Sequence, residues 1–141
     1  MKQQASASQA GQQVSDKSPV RTRHFRDLLV WQKSMVLGKA VCLKTAEFPK
    51  QEQYGITSQM RRAAVSVRSN IAEGHGRLSD GSLRVFLGQA RGSLFELETQ
   101  IELARDLEYL QTKDAKDLIG AESRSWENAE RPHWGAWTLT R

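Results

Sequence analysis

The sequence predicts an all-α protein, an antiparallel up-and-down four-helix bundle. Apolar residues recur at spacings of three and four in successive stretches between residues 25 and 119, which gathers them on one face of a helix. No stretch alternates apolar and polar residues with a period of two, so no strands are expected. The breaks between the periodic stretches are short, and short links between long helices make neighbours antiparallel.

The first 22 residues are mostly Gln, Ser, Ala and Gly with few apolar groups. They bury too little surface to offset the entropy of ordering, so a disordered tail is expected over residues 1–22. The first helix is expected from about residue 26 to about residue 46, in FRDLLVWQKSMVLGKAVCLKTAEFP. Its apolar positions are Phe25, Leu28, Leu29, Met35, Val36, Cys42 and Leu43. Pro49 ends it by disfavouring helical backbone at Phe48. The second helix starts near residues 54–57 and runs through ITSQMRRAAVSVRSNIAE. Its stripe is Ile56, Met60, Ala63, Val67 and Ile71, and Ala64, Ser66 and Ala72 beside it permit close approach of another helix. Gly74 and Gly76 are expected to stop this helix by taking up left-handed backbone.

The third helix has the most regular pattern. Leu83, Leu87, Ala90, Leu94, Leu97, Ile101 and Ala104 alternate spacings of four and three, a heptad seam. Ser79 is its expected N-cap and Asp80 suits the first turn. It should reach about residue 108, about 40 Å at 1.5 Å per residue. YLQT then leads to a fourth helix capped by Thr112, with Ala115, Leu118 and Ile119 beginning a stripe. The pattern fails after about residue 120, where Glu, Ser, Arg and Ser follow. The bundle is therefore expected over residues 23–126 and an irregular tail over 127–141.

Composition narrows the function. The chain has 141 residues, suited to one domain, with 38% hydrophobic and 26% charged residues. No apolar run approaches a membrane span, and the first residues lack the apolar segment of a secretory signal. The single cysteine, Cys42, has no disulfide partner and no zinc-ligand spacing around it. A reducing cytoplasm, no metal and no cofactor are expected. The formal net charge is +5, unevenly spread: residues 1–78 hold 13 Lys/Arg against 5 Asp/Glu, and residues 79–141 hold 8 against 11. A basic half suits a nucleic-acid or acidic partner; equally, the two halves can pair with each other.

The segments FRDLLVWQKS, FPKQEQYGITSQMRRAAVSVRSNIAEGHGR and FLGQARGSLFELETQIELARDLEYL carry a resemblance over about residues 25–110. The chain resembles the four-helix bundle family named for the 23S rRNA intervening-sequence protein. It is also similar to the accessory variability proteins of diversity-generating retroelements. The resemblance implies a small bacterial, cytosolic bundle with no established enzymatic activity. It implies assembly as a homopentamer, an RNA or DNA partner met through a basic surface, and a reverse transcriptase or other protein as a further partner. No membrane partner is implied. Two departures stand out. Arg68 occupies the place where the family usually has proline, so the second helix should run straighter here. The family's fourth helix stays amphipathic for longer, and a shifted reading frame would produce the change seen here.

Candidate sites follow. Arg61, Arg62, Arg77, Arg84 and Arg91 are the candidate nucleic-acid contacts, with no base-reading motif or interleaved aromatics, so recognition should rest on charge and shape. Glu96, Glu98 and Glu102 are the alternative partners for these cations. Asn70, Glu73, Gly74 and Gly76 form a structural signature: Asn70, Glu73 and Arg77 are spaced to touch along one edge, and the glycines make a corner. The G-x-G of EGHGR lacks a preceding strand and a Walker lysine, so it is no phosphate loop. Arg68 and His75 have the Arg-x6-His form of HEPN-type ribonucleases, although any two helical residues seven apart share a face. A non-enzymatic nucleic-acid-binding oligomer is the reading the sequence favours. The alternatives are a structural oligomer with a protein partner and a ribonuclease using Arg68 and His75.

Overall fold

The computed structural model describes residues 23–77 and 79–129, with the side chains of 121–125 and 127–129 excepted. The expected tail over 1–22 and the last twelve residues lie outside that range. A 3-10 turn, Phe25–Asp27, leads into α1 (Leu29–Thr45). A second 3-10 turn, Lys50–Glu52, precedes α2 (Ile56–Gly76); α3 (Asp80–Asp106) and α4 (Thr112–Ala129) follow. No described residue forms a strand.

Cross-helix contacts give the directions. Arg61, early in α2, reaches Thr45 at the end of α1, whereas Arg68, further on, meets Gly38. Late in α2, Gly74 lies against Leu83 and Phe86 early in α3, and Ser66 meets Ser93 further along. Lys44 near the end of α1 pairs with Asp114 at the start of α4. α1 and α2, and α2 and α3, are thus antiparallel, and α4 starts beside the end of α1.

The core follows the periodicity of α2 and α3. Met60, Val67, Ile71, Leu94, Leu97 and Ile101 are almost fully buried. Of the expected first-helix stripe, Leu28 is buried and Phe25 packs against the core, but within α1 itself the expected face is the wrong one. Its buried residues are Val30, Ser34, Leu37, Gly38, Val41 and Thr45, while Leu29, Met35, Val36, Cys42 and Leu43 face outward. α1 is apolar on both faces, so spacing alone does not choose between them.

The glycine corner is also corrected. No described glycine has a positive φ, and α2 continues through Gly74 and Gly76 until Arg77 turns extended at φ −78°, ψ 130°. Gly74 is buried under α3, where an added Cβ would lie 2.8 Å from Phe86 Cβ and 3.3 Å from Leu83 Cδ1. It is there for close helix approach. At the next turn Ser79 Oγ accepts the Ser82 N–H at 3.2 Å, capping α3.

α3 ends in a Schellman turn. The Tyr109 N–H donates to the Ala104 carbonyl and the Glu108 N–H to that of Arg105, both at 2.9 Å, with Glu108 left-handed at φ 60°. The Gln111 carbonyl accepts the first bond of α4, from Ala115, so the cap falls one residue before Thr112. α4 then continues past residue 120 to Ala129 and buries Trp126. Position 122 on its stripe is Glu, which hides the continuation from a periodicity argument.

Candidate functional site

The conspicuous polar residues of the sequence lie mainly in helix seams. Arg61, Arg68 and His75 recur every seven residues and so share the flank of α2 that meets α1. Arg61 Nε donates to Thr45 Oγ1 at 2.9 Å and its Nη2 to the Cys42 carbonyl at 3.3 Å. Thr45 Oγ1 in turn donates to the Val41 carbonyl at 2.8 Å. Arg61 thus adds a charged donor to a carbonyl in the last turn of α1 that already accepts the Ala46 N–H, and a cation there suits the helix dipole. Arg68 lies over Gly38, so close that a Cβ there would overlap its Nη1. Arg68 is accommodated by the one position in α1 with no side chain, and α2 is unbroken through it.

The opposite flank of α2 meets α3 through small polar groups. Asn70 Nδ2 donates to the Ser66 carbonyl at 2.9 Å and lies 3.1 Å from Ser66 Oγ, which is 2.8 Å from Ser93 Oγ. Asn70 therefore turns back along its helix and away from Glu73. Glu73 pairs instead with Arg77, Oε1 to Nη2 at 3.0 Å, and the Arg77 guanidinium lies 5.3 Å over the Phe86 ring. Both partners of this pair are about half exposed, so it adds little to stability.

The five candidate arginines do not converge. Arg61 is engaged with α1. Arg62 is exposed on an open groove between α2 and α3 whose lining includes Gln59, Ser66, Ser69 and Glu96, an acid facing a base. Arg77, Arg84 and Arg91 lie towards the other end of the molecule. Arg84 and Arg91 are exposed, seven apart on α3, and Arg91 stands 5.0 Å over the Phe95 ring.

The charge distribution sorts by end. The end formed by the first 3-10 turn, the start of α1, the end of α2 and the start of α3 carries the exposed Arg23, Arg26, Arg77 and Arg84 beside Asp27, Glu73 and Asp80, and the last turns of α4 add Glu122, Arg124 and Glu127 to its sequence. At the opposite end acids answer bases. Lys44 Nζ is 3.1 Å from Asp114, and Arg105 bridges Glu102 and Asp106. Tyr109 donates to Glu52 Oε1 at 3.1 Å, and that hydrogen bond to a carboxylate holds its phenol above the usual range. The sequence reading missed this sorting, because the charge excess of residues 1–78 is read along the chain and the antiparallel fold redistributes it.

Among the described residues no group of three or more His, Cys, Asp and Glu could hold a metal ion, and no helix is long and apolar enough to cross a membrane. The fold and its seams define an all-helical bundle whose polar residues mostly join helices. The model of the family described as 23S rRNA-intervening sequence protein matches residues 26–123, from the first 3-10 turn into α4, and the chain belongs to that family. No curated protein matches it.

Proposed function

We propose that the protein is a non-enzymatic, self-associating bundle that binds nucleic acid, RNA first among the candidates, through its arginine-bearing end. The observation that carries this reading is the sorting of charge. Four exposed arginines, Arg23, Arg26, Arg77 and Arg84, lie at one end, whereas at the opposite end the bases Lys44 and Arg105 are paired with acids. Arginine is the cation best suited to phosphate, being planar and weakly hydrated. The family's name, which refers to sequences within 23S rRNA, is in keeping with an RNA partner.

Self-association is supported by α1. Val36 is 68% exposed and Leu43 62%, with Leu29 and Met35 nearly 40% exposed beside them. An apolar stripe of this kind on an outer helix face marks an interaction site. Repeating one weak phosphate-binding end around a homopentamer would multiply its affinity. A reverse transcriptase or another protein is the further partner the family resemblance suggests. The ribonuclease alternative asks Arg68 and His75 to reach a phosphate. Both are half-buried on the flank that meets α1, so they are read as structural.

RNA binding measured by fluorescence anisotropy tests the reading. Affinity should fall steeply between 50 and 200 mM salt, by about a thousandfold if several phosphates are engaged. Arg26→Glu with Arg84→Glu should weaken binding at least tenfold, and Lys113→Glu with Lys116→Glu should leave it nearly unchanged. No binding at low salt sinks the proposal. RNA cleavage lost in His75→Ala would favour the nuclease. A monomer by light scattering would remove the assembly.

A further inference from the structure

The arginine-bearing end also holds a cluster of rings whose outer members contribute nothing to the core. His24, Phe25 and Trp31 lie side by side. The His24 and Phe25 rings are 4.5 Å apart at 34°, and Phe25 meets Trp31 edge-on at 5.2 Å and 68°. The Arg26 guanidinium sits 5.1 Å over the Phe25 ring. Phe25 and Trp31 are half-buried with their inner sides on the core, while His24 and Arg26 are exposed. The cluster is held in place before any ligand arrives. His24 Nδ1 accepts the Arg26 N–H at 3.2 Å, and Gln32 Nε2 donates to the Arg26 carbonyl at 2.9 Å.

A bundle needs only the apolar inner sides of these rings. An exposed imidazole and guanidinium packed against the Phe25 ring, beside further arginines, add flat surface and guanidinium charge. Flat faces with phosphate-binding cations nearby are what an unpaired base and its backbone require. A duplex keeps its bases stacked on each other and offers such a site only its phosphates and grooves. We infer that His24, Phe25, Arg26 and Trp31 form a stacking site for unpaired bases, so that the ligand of this end is single-stranded nucleic acid. Every base has a π face, so binding discriminates strandedness and not sequence. The inference rests on the nucleic-acid reading above and narrows it.

The test compares a labelled twelve-nucleotide oligouridine with a twelve-base-pair RNA duplex, both titrated with the full chain at one salt concentration. Arg26→Lys keeps the charge and removes the planar group without touching the core; Phe25→Leu keeps apolar volume and removes the ring. Each should weaken oligouridine binding about tenfold and leave duplex binding and the salt slope unchanged, with the circular dichroism of the wild type. Equal affinity of wild type and Arg26→Lys for oligouridine overturns the inference while leaving the nucleic-acid reading standing. Equal losses on both ligands do the same, by reducing the site to charge. Absence of binding to either RNA by the wild type overturns both. Polyglutamate bound as tightly as oligouridine would assign the end to an acidic protein and overturn it too.

Discussion

At the end where α3 turns into α4, charges are answered and the backbone is tied down. Lys44 meets Asp114, Arg105 lies between two acids, and Tyr109 links the turn to Glu52. At the opposite end the arginines are mostly exposed, rings lie partly in solvent, and closure depends on apolar burial of Trp126 and Leu28, with Phe25 packed against the core. Ion pairs that neutralise a surface contribute little to stability in water. What they do achieve is removal of net charge. Leaving one end unneutralised keeps a field that attracts polyanions. The difference between the ends therefore separates residues that serve the fold from residues available to a partner.

The largest test of that contrast is at Trp126. It is 6% exposed, and among the described residues its indole N–H finds no acceptor. Trp126→Ala should cost about 3–5 kcal/mol of stability, read from urea denaturation. Trp126→Phe should cost much less, because it also removes an unpaired buried donor. Hydrogen exchange should quicken at the arginine-bearing end in Trp126→Ala while the Tyr109 end stays protected. Uniform quickening would show that the ends do not differ in how they are held.

A smaller effect is expected at the seam between α2 and α3. Gly74→Ala forces a Cβ against Phe86 Cβ, an atom fixed to its backbone, whereas at Gly88 a Cβ would meet nothing within 4 Å. Overpacking costs about 1–3 kcal/mol, and alanine recovers about 1 kcal/mol of helix propensity over glycine. Gly74→Ala should thus lose about 1 kcal/mol net, and Gly88→Ala should gain up to about 1 kcal/mol. The same sign at both positions would refute the account of Gly74 as a close-approach residue.

Legibility in the sequence tracked how one-sided each helix is. α2 and α3 have a single apolar face, and Met60, Val67, Leu94 and Leu97 are buried as their spacing requires. α1 carries apolar residues all round, so Val36 and Leu43 looked like core and are surface. Gly74 was recognisable as special, but glycine serves both left-handed turns and close packing, and only the position of Phe86 decides between them. The ring cluster was invisible because Trp31 returns to Phe25 across the turn into α1, a contact no linear spacing announces. Charge was legible in amount and illegible in place.

The smallest effect lies in the neutralised end. Glu108 closes the Schellman turn in left-handed backbone at φ 60°, the only described non-glycine residue to do so. An L-residue pays about 1–2 kcal/mol there, and glycine escapes that cost while losing somewhat more entropy on folding. Glu108→Gly should therefore raise stability by about 1 kcal/mol, seen as a higher urea midpoint with an unchanged slope. The Glu108 side chain is exposed and has no described ion pair, so little else is lost. The same substitution removes a negative charge from the end assigned a structural role. If that assignment holds, RNA affinity should stay nearly constant while stability rises, because a lone exposed charge on the far side of the bundle is largely screened at physiological salt. A several-fold gain in RNA affinity at 150 mM salt would place nucleic acid close to Glu108 and dissolve the division between the two ends.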